Sequence, residues 1–151
     1  MYKQIRLKII IGGERMVQFL KVYATAFVVF FAVDLVWLGI VAKNLYQDNL
    51  GFLLKENPNW YAAILFYLLY IAGLVFFVIN PSLEKSSWQY ALFAGLFFGF
   101  VTYATYDLTN LSTLKDWPLT ITIIDLIWGS VLGGTVSVVS HLILKGFKWV
   151  E

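Results

Sequence analysis

The chain has no cysteine, one histidine, three prolines and little charge, with Asp, Glu, Lys and Arg making up 13% of its 151 residues. The missing cysteine excludes disulfides, thiolate metal sites and cysteine nucleophiles. The lone histidine, His141, excludes a histidine-built metal centre. No H-E-x-x-H, Walker loop or G-x-S-x-G is present, so no familiar catalytic signature is available. A soluble domain carries about a quarter charged residues, roughly twice the share found here. The formal net charge of +2 is too small to point to nucleic acid.

What is abundant is apolar: 60% hydrophobic residues, 19% aromatic, and a mean hydropathy of +0.77. The apolar residues fall in four blocks, each long enough to cross a bilayer, for which about 20 residues suffice. The expected fold is therefore all-α, an integral membrane four-helix bundle in contact with the lipid bilayer. One membrane domain covers 16–151, with spans near 17–42, 60–79, 88–107 and 118–144. A basic extension over 1–15, carrying Lys3, Arg6, Lys8 and Arg15, precedes a second candidate start at Met16. The first apolar run is too long for a signal-peptide core of about 7–15 residues and reads as an uncleaved helix.

Between the spans the punctuation is local. Leu45, Tyr46, Leu50, Phe52, Leu53 and Leu54 suggest a short amphipathic piece on the membrane surface. Asn57-Pro58 resembles a cap and first turn, and Asn80-Pro81 is expected to stop the second span because proline cannot continue a helix. The stretch after Asp107, rich in Thr, Ser and Asn, reads as a loop, with Asp116 as N-cap and Pro118 in the first turn of the last helix. Trp60, Trp88, Trp117 and Trp149 fall at span ends, where indoles favour the headgroup level.

Lys and Arg set the expected orientation. Lys3, Arg6, Lys8, Arg15, Lys21, Lys85, Lys145 and Lys148 fall on one side, and Lys43, Lys55 and Lys115 on the other. The positive-inside rule then puts both termini in the cytoplasm.

Aspartates inside apolar spans are the informative residues. Asp34-Leu35-Val36-Trp37 in the first span is echoed by Asp125-Leu126-Ile127-Trp128 in the fourth, and the third ends in Tyr106-Asp107. Each Asp–Trp pair is spaced by three, so it shares a helix face. The topology puts Asp34 and Asp125 each roughly 10 Å below the outer surface, at about 1.5 Å per residue. Span three carries Ala91, Gly95, Gly99, Tyr103 and Asp107 at four-residue spacing; span four carries Asp125, Gly129, Gly133, Ser137 and His141. If these small-residue stripes face each other, the helices approach closely and Asp107 meets Asp125. The repeated Asp-Leu-x-Trp word hints at an inverted repeat, although four residues do not establish a duplication.

An ionised carboxylate in hydrocarbon costs at least about 2.5–3.5 kcal/mol, so these residues need an account. One reading makes them structural, hydrogen-bonded within the bundle. The other makes them an outer polar site that binds or transports a cation, a proton or a small molecule. On that reading Asp34, Asp107 and Asp125 supply the charge, and Trp37, Trp128, Tyr103, Tyr106 and Asn110 shape the site. Four helices wall a pathway thinly, so a transporter is expected as a homodimer. The alternatives are an accessory subunit of a membrane complex or an envelope sensor, and a lipid-modifying enzyme. Enzyme chemistry is the weaker case: no catalytic residue or cofactor is indicated, and His141 lies some 24 Å of helix rise from Asp125.

Several stretches together resemble a bacterial family of small predicted membrane proteins catalogued as a domain of unknown function. They are Asp34-Leu-Val-Trp-Leu-Gly39, Asn57-Pro-Asn-Trp60, Asn80-Pro81, the run from Thr102 to Pro118, and Asp125-Leu-Ile-Trp-Gly129. The likeness covers about residues 16–145 and is most specific at Tyr103-Ala-Thr-Tyr-Asp-Leu-Thr-Asn110. It implies a multi-pass protein of the bacterial inner membrane and supplies no activity.

Overall fold

A computed structural model describes the backbone of residues 2–42 and 44–147, and the side chains of 13–42 and 44–147. Trp149, Lys43, Lys148 and the side chains of Lys3, Arg6 and Lys8 lie outside the described residues. The described chain is helical, with four helices long and apolar enough to cross a membrane. Helix α1 (Tyr2–Val36) is prolonged by a wide π-helical turn, Trp37–Val41. A short α2 (Leu45–Leu50) follows. Helix α3 (Trp60–Leu74) passes through a second π-helical turn, Val75–Ile79, into α4 (Asn80–Glu84). Helices α5 (Trp88–Thr113) and α6 (Leu119–Gly146) complete the bundle.

The chain passes back and forth along the bundle, so that Arg15 near the start of the first span and Lys145 near the end of α6 lie at the same end. Helix α6 is the central member: half of its apolar window is buried, against a third or less in the other three spans. The outward faces carry large apolar side chains such as Val28, Ile40, Phe93, Phe97 and Ile127. That is the expected surface for helices solvated by lipid, where every backbone polar group must be satisfied within the helix.

The α5–α6 seam is set by its glycines. A Cβ on Gly95 would lie 2.5 Å from the Gly133 carbonyl oxygen and 2.7 Å from Ser137 Oγ. A Cβ on Gly99 would overlap the Gly129 carbonyl, and one on Gly133 the Gly95 carbonyl. The two four-residue stripes thus face each other with backbones in contact, as small residues permit.

Four helix ends differ from the sequence-based expectation. The third span does not stop at Asp107 but continues to Thr113. Its polar residues return their hydroxyl protons to the preceding turn, Thr105 to Val101, Thr109 to Thr105 and Thr113 to Thr109. Bonded back in this way, the hydroxyls are satisfied inside the helix and do not draw the backbone into a turn. The second span continues through Pro81 to Glu84. The preceding wide turn, in which the Asn80 N–H donates to the Val75 carbonyl, accommodates a proline that offers no donor and crowds the carbonyl four residues earlier. The last helix begins after Pro118, which is itself the N-cap; Asp116 takes a left-handed conformation (φ 59°) in the turn before it. The cap of α3 is Asn59, whose side chain accepts from the Ala62 N–H at 3.2 Å, rather than Asn57.

The amphipathic piece also differs. Helix α2 folds over the far end of the bundle, with Leu50 buried against Trp117 and Ile121, and Leu45, Tyr46 and Leu111 packed around them. Phe52, Leu53 and Leu54 remain exposed. Trp60 and Trp88 are exposed at span ends as expected, whereas Trp117 is buried and donates its indole N–H to Thr122 Oγ1 at 3.0 Å.

Candidate functional site

At the end of the bundle opposite Arg15 and Lys145, α3 leaves its neighbours. From Trp60 to Phe66 nearly every side chain is exposed; packing resumes at Tyr67, whose ring meets Phe30 and Phe31, and becomes tight at Tyr70 and Ile71. The departure leaves a cavity of about 350 Å³ bounded by α1, α2, α3, α5 and α6. Two carboxylates face it, Asp34 and Asp125, each only 5% exposed. Its other walls are mostly aromatic: Trp37, Trp128, Tyr46, Tyr67, Tyr103 and Tyr106.

The repeated Asp-Leu-x-Trp words come together here. The Trp37 and Trp128 rings stack at 4.2 Å with planes 8° apart. Since each tryptophan sits one turn beyond its aspartate on antiparallel helices, the stack lies between the two carboxylates' helices and joins them. Tyr46 links the halves further: its phenol donates to Asp125 Oδ1 at 2.8 Å and accepts from the Trp37 indole N–H at 3.4 Å. Burial pushes the Tyr46 phenol above the usual tyrosine range; the Trp37 bond opposes that shift and the neighbouring Asp125 charge adds to it. Across the cavity the Tyr67 phenol faces the Asp34 carboxylate.

Asp107 is placed differently. It is fully buried behind the cavity wall, close enough to Asp125 for their charges to interact, yet it does not line the cavity. Neither of its carboxylate oxygens has a hydrogen-bond partner among the described residues. Asn110 also stands outside the lining, with its side chain beside Tyr106. Of the expected site residues, Asp34, Asp125, Trp37, Trp128, Tyr103 and Tyr106 therefore share the cavity, while Asp107 and Asn110 lie around it. No group of three His, Cys, Asp or Glu among the described residues is arranged to hold a metal ion.

The sequence reading missed Tyr46 and Tyr67 as site residues. Tyr46 belongs to a segment read as surface-lying, and only the inward fold of α2 brings it to Asp125. Tyr67 is one of many aromatics in an apolar span and carries no local signal. Thr102 lines the cavity, although its hydroxyl bonds back to the Phe98 and Gly99 carbonyls at 2.9 Å.

His141 lies at the opposite end, 4% exposed, with Nδ1 2.9 Å from Ser82 Oγ. Ser82 sits just beyond Pro81, so the continuation of the helix past the proline brings the pair together. The Ser82 hydroxyl also reaches the Ile79 carbonyl at 2.7 Å, a polar tie inside the bundle rather than an accessible nucleophile.

No curated protein and no solved structure matches this chain. A family model described as "Predicted membrane protein (DUF2177)" matches residues 19–142, and with four membrane-crossing helices around these aspartates the chain belongs to that family of multi-pass membrane proteins.

Proposed function

We propose that this protein binds a small organic cation, an amine or quaternary ammonium, in the cavity between Asp34 and Asp125, and that it carries such a cation across the bacterial cytoplasmic membrane. The observation that supports this reading is the combination in one 350 Å³ space of two buried carboxylates with a wall of aromatic rings. Carboxylates supply charge, and indole and phenol faces attract a desolvated cation by about 2 kcal/mol or more each when water is excluded. A bare metal ion fits less well, because the walls offer few oxygen ligands beside the two carboxylates. Both termini would then be cytoplasmic and the cavity would open in the outer half of the bilayer, as the distribution of Lys and Arg favours. A homodimer would give the transport pathway a thicker wall.

A structural reading has one observation in its favour, the Tyr46–Asp125 bond that holds α2 down. Thermal unfolding of the detergent-purified protein separates the two. Tetramethylammonium, choline, sodium and magnesium are added in turn to wild type, Asp34→Asn and Asp125→Asn. A stabilisation of wild type by the ammonium ions that either variant loses while staying folded supports binding, and uptake into liposomes is then measured. If no cation shifts wild type and both variants simply melt earlier, the aspartates are structural and the binding reading is wrong.

A further inference from the structure

A second, larger cavity of about 700 Å³ opens at the end of the bundle where Arg15 and Lys145 lie, between α1, the α3–α4 helix and the end of α6. Its polar rim holds Arg15, Lys145, Asn80, Ser86 and Glu84, and its wall holds Phe19 and Phe76. Lys145 Nζ donates to Ser86 Oγ at 3.0 Å, which holds the ammonium at the rim. Among the described residues neither Arg15 nor Lys145 has a carboxylate partner. Two cations and one carboxylate, Glu84, line this space, and the net positive charge they leave, in a membrane protein that otherwise carries little charge, suits an anion.

We infer that this cleft binds the phosphodiester headgroup of an anionic phospholipid. Three features select that ligand over other anions. The cleft lies at a span end, the depth at which headgroups sit, where basic pockets between helices hold anionic lipids. Its wall is aromatic below the polar rim: Phe76 is 64% and Phe19 38% exposed, so both offer apolar surface to acyl chains. Glu84 at the rim reduces the lining to one net positive charge, which matches a singly charged phosphodiester and disfavours a dianionic phosphate monoester. The guanidinium of Arg15 suits two phosphate oxygens at once, and Lys145 serves as a point charge beside it. Asn80 and Ser86 lie within the same rim and can bond the ester or glycerol oxygens.

The test is native mass spectrometry of the full-length protein released from mixed micelles containing equal amounts of phosphatidylglycerol and phosphatidylcholine. Wild type, the Arg15→Gln/Lys145→Gln double variant and Glu84→Gln are compared, with folding checked by circular dichroism. Wild type is expected to retain phosphatidylglycerol over phosphatidylcholine by about tenfold. The double variant is expected to lose that preference, and Glu84→Gln to keep or strengthen it. A parallel titration adds inorganic phosphate and glycerol 3-phosphate. Displacement of the lipid by either at millimolar concentration would show a site for free phosphate and overturn the lipid assignment. Equal retention of both lipids by wild type, or an unchanged preference in the folded double variant, would overturn the site altogether. If the double variant fails to fold, Arg15→Lys and Lys145→Arg decide in its place. The first should weaken the preference by removing the bidentate contact, and the second should preserve it; the reverse order overturns the inference.

Discussion

Trp37 and Trp128, ninety-one positions apart in the chain, stack face to face at 4.2 Å, so two copies of the same four-residue word meet across the bundle. Each brings an aspartate with it, and the tryptophan pair forms the aromatic wall between them. An offset or parallel aromatic pair contributes about 0.5–1.5 kcal/mol beyond the area it buries.

Replacing Trp128 by Leu removes this stack while keeping an apolar side chain at the site. The expected result is a loss of about 1–3 kcal/mol of stability and a weakening of ammonium binding by about tenfold. Near-ultraviolet circular dichroism, sensitive to coupled indoles, should lose intensity in Trp128→Leu and in Trp37→Leu to the same extent. Unequal losses would show that the pair does not act as a unit.

Gly99→Ala should separate α5 from α6, because the added methyl would meet the Gly129 carbonyl, which is backbone and cannot rotate away. A cost of about 1–3 kcal/mol or more is expected from such overpacking. Gly39→Ala is the control, since nothing lies within 4 Å of a Cβ there. Thermal melts of the two variants in the same detergent make the comparison, and equal melting temperatures would refute the close α5–α6 seam.

Asp107→Asn replaces a buried carboxylate whose oxygens have no partner among the described residues with a neutral amide of the same shape. Leaving a buried polar group unsatisfied costs about 1–3 kcal/mol, and more when it is charged. The variant is therefore expected to melt higher than wild type in the absence of added cation. It should also show a smaller stabilisation by added ammonium, since the repulsion between Asp107 and Asp125 that a bound cation relieves is gone. A lower melting temperature without cation would show that Asp107 has a stabilising partner in the folded protein.

Tyr46→Phe removes the phenol that joins α2 to Asp125 and should raise hydrogen exchange across Leu45–Leu50 without changing exchange in the α5–α6 seam. It also has a pH signature. Burial raises the Tyr46 phenol above its ordinary value of 10.0, so the folded state holds this proton more tightly than the unfolded chain. The resulting stability is complete below pH about 10 and is lost as pH rises from there toward the folded-state value. Wild type should consequently lose stability between pH 10 and 11.5 more steeply than Tyr46→Phe. Parallel curves would place the phenol in contact with water.

The sequence by itself determined four membrane-crossing helices, because length and apolarity are what a bilayer demands of a span. It also pointed to α5 and α6 packing through facing stripes, and the structure shows them facing. Four-residue spacing puts Gly95 and Gly99, and Gly129 and Gly133, on single faces, and only small residues permit that approach. The shared location of Asp34 and Asp125 followed from chain direction and distance along each helix. Tertiary structure alone decided the rest. Whether a polar, Thr-rich stretch ends a helix depends on where its hydroxyls bond, and those of Thr109 and Thr113 bond backward and continue α5. Whether Pro81 stops a helix depends on the turn before it, which widens and lets Ser82 reach His141. Tyr46 joins the site, and Asp107 stands behind it, because α2 folds inward and α3 leaves the bundle, choices made by packing between segments distant in the chain and invisible to any local pattern.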